Sequence, residues 1–203
     1  FLTYIVAGIG VTTLTCAGMG AIASRRPVDI QFRKLAANKN PMNPLVLVTY
    51  AFQADSTMEI TCTIALELEK RDFVFDICPI KQLKRLEGYS HVVIGSAIRM
   101  GSPLPEVTHF IEKHRYEFRG IHLACFVVHL QHDGEDEASR KASVAYLDPI
   151  RNQLGITHEA YLTGVFDPDK VTPIERLMGK TVQTPVGDSR DWATIKDWSK
   201  EIF

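Results

Sequence analysis

The sequence predicts an α/β domain with a five-stranded parallel sheet, preceded by one transmembrane helix. Two observations indicate the domain: apolar runs of strand length recur from residue 45 onward, and segments of helical periodicity separate them. The helix is indicated by residues 1–23, which contain no charged side chain. We therefore divide the chain into a transmembrane helix at residues 1–24, a juxtamembrane linker at 25–44 and one domain at 45–203.

Residues 1–23 would form a helix about 34 Å long, enough to cross a bilayer. A cleaved signal peptide is the alternative, and the small residues before Ser24 support it. Signal peptides place positive charge before the apolar run, whereas here Arg25 and Arg26 follow it. We therefore favour a retained single-pass anchor, and the positive-inside rule places the domain in the cytoplasm.

Two partners are expected at the membrane. The predicted anchor is rich in small residues that would let other helices approach, so membrane-protein subunits are expected to pack on it. These small residues are Ala7, Gly8, Gly10, Ala17, Gly18, Gly20 and Ala21. In the linker, Arg33, Lys34 and Lys39 would be attracted to anionic lipid, so the bilayer itself is the second partner.

The predicted elements follow one another in alternation. Residues 45–50 form a short continuous apolar run, typical of a strand buried on both faces, and residues 57–71 place Ile60, Ile64 and Leu68 at helical spacing. The other predicted strands are residues 73–79, 91–95, 121–130 and 160–166. The other predicted helices are residues 105–114, 138–154 with a break at Asp148-Pro149, and 191–202. This order implies a parallel sheet covered on both faces, with ligands at the carboxyl ends of the strands.

Composition excludes one class of partner and gives no support to a metal site. The chain is 45% hydrophobic and 23% charged with a net charge of -1, whereas nucleic-acid recognition needs clustered basic charge. The four cysteines stand singly, which fits neither a zinc site nor a disulfide framework, so reduced thiols are expected. His129 and His132 lack the further ligands that a metal needs.

Two loops at the predicted strand ends resemble the flavodoxin-like family. The first strand runs into "TYAFQADSTMEI" at residues 49–60, and the third into "VVIGSAIRMG" at residues 92–101. Within that family the chain resembles the branch containing menaquinone-dependent protoporphyrinogen oxidase, whose first loop usually reads Tyr-Ala-Ser-x-x-Gly-Ser-Thr-x-Glu-Ile. The closing segment "GDSRDWATIKDWSKEI", residues 187–202, is similar to the same branch. The resemblance implies a flavodoxin-like doubly wound fold from about residue 45 to the end.

The resemblance also implies an FMN whose phosphate lies in the first loop. The physical reason is that unpaired N–H groups and the dipole at a helix start attract an anion. The cofactor-binding residues that it implies are Thr49, Tyr50, Ala51, Ser56 and Thr57 in the first loop, Ser96, Ala97, Ile98, Arg99, Met100 and Gly101 in the second, and His129 in the third. The implied function is FMN-linked electron transfer, as an oxidoreductase acting between a donor and a quinone or another membrane-associated acceptor.

Two residues of the first loop depart from the family pattern and leave a second function open. Phe52 replaces a hydroxyl that would donate to the phosphate, and Asp55 replaces a glycine. Two like charges a few ångströms apart cost on the order of several kcal/mol at an intermediate dielectric. Met100 also stands where the branch commonly has an aromatic residue. The alternative is therefore a cofactor-free accessory subunit of a larger membrane complex.

The start of the first helix also has an interpretation that needs no ligand. Ser56-Thr57-Met58-Glu59 has the S-x-x-E form of a capping box, in which Ser56 and Glu59 satisfy the first N–H groups of the helix. Asp55 would then lie near the positive helix end as a substitute for a phosphate. The sequence does not decide between this interpretation and FMN binding.

Overall fold

The computed structural model describes residues 43–51, 55–130, 137–181 and 184–203. The predicted anchor and nearly all of the predicted linker lie outside these ranges. No helix within them is long and apolar enough to cross a membrane.

A six-stranded sheet forms the centre of the described domain. Its strands are β1 (Leu45–Ala51), β2 (Val74–Pro79), β3 (His91–Arg99), β4 (Ser102–Pro103), β5 (His122–His129) and β6 (His158–Thr163). Five of them are parallel and lie in the order β2-β1-β3-β5-β6, and these are the five predicted strands. The prediction of five strands was nevertheless wrong for the sheet as a whole, because the short strand β4 pairs antiparallel with the end of β3.

Within the described residues, six α-helices connect or follow these strands. They are α1 (Asp55–Glu69), α2 (Pro105–His114), α3 (Glu137–Ala145), α4 (Asp148–Arg151), α5 (Pro173–Thr181) and α6 (Trp192–Glu201). A 3-10 turn at Ile80–Gln82 follows β2, and a separate two-stranded sheet pairs β7 (Val165–Phe166) with β8 (Gly187–Asp188). α1 and α6 cover one face of the parallel sheet, whereas α2 and α4 cover the other.

Burial of both sheet faces explains why the strands are continuous apolar runs. Successive side chains of a strand point to opposite faces, so each strand supplies both cores. One core contains Leu47, Val92, Ile94, Cys125 and Val127, and the other contains Val46, Val48, Val93, Ala124, Phe126 and Val128. Cys125 is a free thiol at 0% exposure, and burial raises its pKa.

The predicted helix faces pack as expected. Ile60, Ile64 and Leu68 of α1 are fully buried against the sheet, as their spacing predicted. Ile195 of α6 is buried in the same core, and Asp191 caps this helix by accepting hydrogen bonds from the N–H groups of Ala193 and Thr194 at 2.9 and 3.1 Å. Such a cap stabilises a helix by about 1 kcal/mol.

Three elements differ from the sequence prediction by more than a shift of one or two residues at their ends. β3 continues four residues past the predicted end at Gly95, because β5 pairs with it as far as Ala97 and β4 pairs with the residues that follow. The predicted strand 160–166 ends at Thr163, and the chain resumes as β7, which pairs with β8. The predicted helix 138–154 is interrupted where expected, with Pro149 in the first turn of α4, but α4 ends at Arg151 rather than at residue 154.

Candidate functional site

The carboxyl ends of β1, β3 and β5 meet at one edge of the sheet. Ala51 is in register with Ser96, and Ala97 is in register with Val128. After β1 the chain continues as α1 on one face, and after β3 as α2 on the other, so β1 and β3 flank a topological switch point. Ligands of open α/β sheets bind at such points. The structure thus brings together the strand ends that lead into the predicted first and second loops.

The first turn of α1 lies directly at this edge. The helix begins at Asp55, immediately after residues 52–54, which lie outside the described ranges. Ser56 is 9% exposed and Thr57 is 1% exposed, so both hydroxyl side chains are buried at the strand ends. The free N–H groups and the dipole of a helix start favour an anion there.

Gly164 allows the end of β6 to approach this turn. A Cβ at this position would lie 2.8 Å from Cγ1 of Val128 and 3.4 Å from Oγ of Ser56. The Gly164 N–H also donates to the carbonyl oxygen of His129 at 2.9 Å. The Ser56 side chain, in the first turn of α1, therefore lies close to the ends of β5 and β6.

Glu59 does not form the predicted capping box. Its Oε2 accepts a hydrogen bond from Nη1 of Arg190, and α1 begins at Asp55, so Ser56 lies inside the helix rather than at its N-cap. The physical reason is that a guanidinium offers the carboxylate a charge-assisted bond, which is about twice as strong as one from a neutral N–H group.

Arg190 ties the segment before α6 to the first turn of α1. Its Nε and Nη2 donate to the Asp188 carboxylate at 2.8 and 2.6 Å, and its guanidinium carbon lies 4.5 Å from the centre of the Trp192 ring. The hydrogen bonds from Arg190 lower the pKa of Asp188 to about 2. Sequence reasoning missed Arg190 because it lies 131 residues from Glu59. The only signal was the match of residues 187–202 to the family pattern.

The second loop is a tight hairpin between β3 and β4. Met100 and Gly101 form its two-residue turn with φ angles of 51° and 76°, both in the left-handed region that two-residue hairpin turns use. Ser96 is buried, and its Oγ accepts from the Leu104 N–H at 3.0 Å and donates to the Ala97 carbonyl at 2.9 Å. Ser96 thereby fixes the base of the hairpin.

The tip of this hairpin is presented to solvent. Met100 is 79% exposed, Arg99 and Gly101 are exposed, and Ala97 and Ile98 are half-buried. An apolar side chain held out at the edge of a site is available to a ligand or to a partner.

Three other predicted site residues direct their side chains into the domain. Thr49 is buried and donates to the Cys78 carbonyl at 2.8 Å. Tyr50 is fully buried, and burial raises its pKa to about 12. His129 is 1% exposed, and its ring centre lies 5.6 Å from that of Tyr146. These residues therefore position the loops that follow them. His132 and the rest of the third loop lie outside the described ranges.

Arg190→Met is expected to lower the free energy of unfolding by about 1 kcal/mol at neutral pH, since a nearly buried guanidinium loses its carboxylates and its aromatic contact. The folded pKa of Asp188 is about 2, below its unfolded value of about 3.9, so its pairing stabilises the fold above about pH 4. This contribution is lost as pH falls through about 2. Chemical unfolding of both proteins at several pH values measures the difference.

Lys200→Met is the matched control, because Lys200 pairs with Asp197 at 2.7 Å in full solvent. It should change stability much less than Arg190→Met. An equal effect of the two variants would contradict a special role for Arg190.

Comparison with known proteins agrees with this architecture. A family model described as a flavodoxin domain matches residues 47–191, well over half of the chain. No curated protein matches.

Several solved structures are similar to this chain. An NADH:FMN oxidoreductase in its apo form has a TM-score of 0.52 at 8% identity, covering 79% of this chain and 88% of its own. A flavodoxin from the domain Archaea has a TM-score of 0.49 at 14% identity, covering 78% and 95%. A flavodoxin of Fusobacterium nucleatum, bound to flavin mononucleotide, has a TM-score of 0.46 at 18% identity, covering 78% and 96%. At these identities the likeness concerns the fold alone.

Proposed function

The chain belongs to the flavodoxin-domain family, and on that premise we propose that it binds FMN at the carboxyl edge of its sheet and transfers electrons. The main support is the pairing of Ala51 with Ser96. This pairing brings the carboxyl ends of β1 and β3 side by side, at the switch point where ligands of such sheets bind.

The residues at this edge suit the two ends of FMN differently. The N–H groups and the Ser56 and Thr57 hydroxyls of the first turn would hold the phosphate, and the hairpin at residues 98–101 would lie against the ring. Phe52 and Asp55 weaken the binding of the phosphate, because a hydroxyl donor is lost and a like charge is added. The bound flavin would supply one- and two-electron chemistry, while this chain would bind and orient it.

The partner at this edge is expected to be apolar where it touches the flavin. Met100 and Leu130 are 79% and 38% exposed and follow neighbouring strands. An apolar rim of this kind suits either a quinone or the apolar patch of a redox protein.

We further propose that residues 1–24 anchor the protein in a membrane, with the domain in the cytoplasm and other subunits packed on the anchor. The support is the uncharged length of residues 1–23, the position of Arg25 and Arg26, and the small residues of the segment. Within the family, we place the chain near the branch containing menaquinone-dependent protoporphyrinogen oxidase. The residues that support this are Tyr50, Ala51, Ser56, Thr57, Glu59 and Ile60.

A second candidate function is that of a cofactor-free accessory subunit in a membrane complex. Phe52 and Asp55 favour it, because both remove features that a phosphate site uses. In this case the domain acts through its surfaces alone.

The visible absorption spectrum of the native protein, extracted in mild detergent, tests the first proposal. A flavin band corresponding to nearly one FMN per chain is the expected result. Flotation with vesicles, and digestion of sealed right-side-out cells with protease, test the anchor and its orientation. A colourless protein that ignores added FMN would favour the accessory subunit, and digestion of the domain outside intact cells would reverse the topology.

A further inference from the structure

The edge of the sheet opposite the candidate site carries an exposed aromatic side chain between two arginines. Tyr116 is 64% exposed in the loop that leads from α2 to β5. The guanidinium carbons of Arg115 and Arg119 each lie 5.1 Å from the centre of its ring. Cation–π contacts at this distance hold the three side chains together as one surface.

A second loop at this edge joins the same surface. Oε2 of Glu117 accepts from the Leu86 N–H at 2.9 Å, and Oε1 lies 2.6 Å from Nδ1 of the buried His114. These hydrogen bonds, followed by the charge of nearby Arg85, lower the pKa of Glu117. The Glu117 carboxylate is thus engaged with the domain. Nη1 of Arg85 lies 3.8 Å from Oε2 of Glu87, and its charge also reaches Glu117.

We name residues 84–87 and 112–119 together the basic edge. They contain five basic side chains, Lys84, Arg85, Lys113, Arg115 and Arg119, against the three acidic side chains Glu87, Glu112 and Glu117. The net charge of +2 contrasts with -1 for the whole chain. In the sequence that follows β5, residues 129–137 contain four acidic residues and no lysine or arginine. Asp72 is also exposed at the amino end of the sheet, so the net positive charge belongs to these two loops rather than to the whole edge.

The chain enters the domain at the amino ends of the strands, which is the end of the sheet where the basic edge lies. The Pro44 carbonyl accepts from the Val74 N–H at 3.1 Å, and the Leu45 carbonyl accepts from the Ser90 N–H at 3.1 Å. The Ser90 carbonyl in turn accepts from the His122 N–H at 3.0 Å, which connects this entry point to the loop of Tyr116. The sequence before the entry point carries Arg33, Lys34 and Lys39, so positive charge continues along the chain.

We propose that the basic edge docks on the surface of an anionic bilayer, with Tyr116 at headgroup depth and Arg115 and Arg119 on lipid phosphates. Tyrosine is enriched at membrane interfaces, and each arginine near an anionic surface contributes binding. The proposal rests on the proposed membrane attachment and extends it to an orientation. The carboxyl edge then points away from the bilayer, so the electron partner is a redox protein in the aqueous phase rather than a quinone in the membrane.

Tyr116→Trp in the full chain provides the reporter, because brominated lipids quench tryptophan on contact. The chain is reconstituted in brominated phosphatidylcholine vesicles with or without phosphatidylglycerol, and the unmodified chain supplies the background of Trp192 and Trp198. The tryptophan emission that Tyr116→Trp adds should be quenched strongly in vesicles with phosphatidylglycerol, and far less in vesicles of phosphatidylcholine alone. Removing each charge with Arg115→Gln and Arg119→Gln should weaken surface association about fivefold.

Two controls distinguish lipid contact at the basic edge from membrane attachment through the proposed anchor. Val186→Trp places a reporter at a 71% exposed position just before β8 and should not be quenched. Lys170→Gln with Lys180→Gln removes two charges from the segment between β7 and β8 and should not change surface association. Three results would overturn the proposal. The Tyr116→Trp emission could be quenched equally in anionic and zwitterionic vesicles, or its quenching could be unchanged when Arg115 and Arg119 are replaced. The chain could also float with the vesicles while the emission is not quenched. A chain that floats only with anionic vesicles, and no longer does so when Arg115 and Arg119 are replaced, would refute the proposed anchor at residues 1–24 and support docking by the basic edge.

Discussion

Gly95→Ala is expected to lower the free energy of unfolding by about 3 kcal/mol, because the core has no room for the added methyl group. Gly95 pairs in register with Phe126, and a Cβ at Gly95 would overlap the ring edge, at 2.6 Å from Cε1 and 2.8 Å from Cε2. Phe126 is fully buried, and its ring centre lies 6.1 Å from that of Trp198 on α6. The Phe126 ring therefore cannot move away from the added methyl group without displacing α6. Chemical unfolding measures the loss.

Gly155→Ala is the matched control, since nothing lies within 4 Å of a Cβ added there and its φ is not in the left-handed region. It should leave stability nearly unchanged or raise it slightly. Phe126→Leu should recover part of the stability of the Gly95→Ala protein, because the smaller side chain vacates the overlap. A Gly95→Ala protein as stable as the Gly155→Ala protein would contradict the close approach.

Periodicity was sufficient to predict the parallel strands and the main helices, because burial leaves a pattern in the sequence. Strands buried on both faces read as continuous apolar runs, and α1 shows Ile60, Ile64 and Leu68 at helical spacing. Residues 105–114 were predicted with both boundaries correct, since Pro105 starts the helix at its first turn.

The short elements were missed because they depend on partners distant in sequence. β4 has two residues and forms only because the Met100-Gly101 turn folds it back on β3. β7 and β8 have two residues each and are separated by α5, so neither has a local pattern. α5 begins at Pro173 after a polar segment that reads as a loop.

The candidate site could be predicted from the sequence only in part. Strand ends and loop motifs located the edge, because the carboxyl ends of parallel strands lie together. The side-chain directions of Thr49, Tyr50 and His129 could not be read in this way, since they depend on packing against Cys78 and Tyr146. The pairing of Glu59 with Arg190 could not be read from the sequence either, because it replaces the local capping box with a tertiary contact.

Phe52→Ser combined with Asp55→Gly is expected to raise the affinity of the full chain for FMN by about 100-fold. A carboxylate about 6 Å from a phosphate costs about 3 kcal/mol at an effective dielectric of about 20, which is about 100-fold in Kd. The serine also returns a hydroxyl donor, and glycine lets the backbone approach the phosphate. Riboflavin has no phosphate, so its affinity should change much less. Quenching of flavin fluorescence on titration with the protein measures both affinities.

Asp72→Gly is the matched control, because it removes the same charge at the opposite edge of the domain. Asp72 is exposed between α1 and β2 with a φ of 62°, which glycine adopts without strain, so the fold should tolerate the change. Its FMN affinity should equal that of the unmodified chain. Equal gains for FMN and riboflavin in the double variant would mean that the loop changed shape rather than charge. A double variant that still ignores FMN would show that the hairpin at Met100 no longer accepts the ring, and this result would favour the cofactor-free subunit.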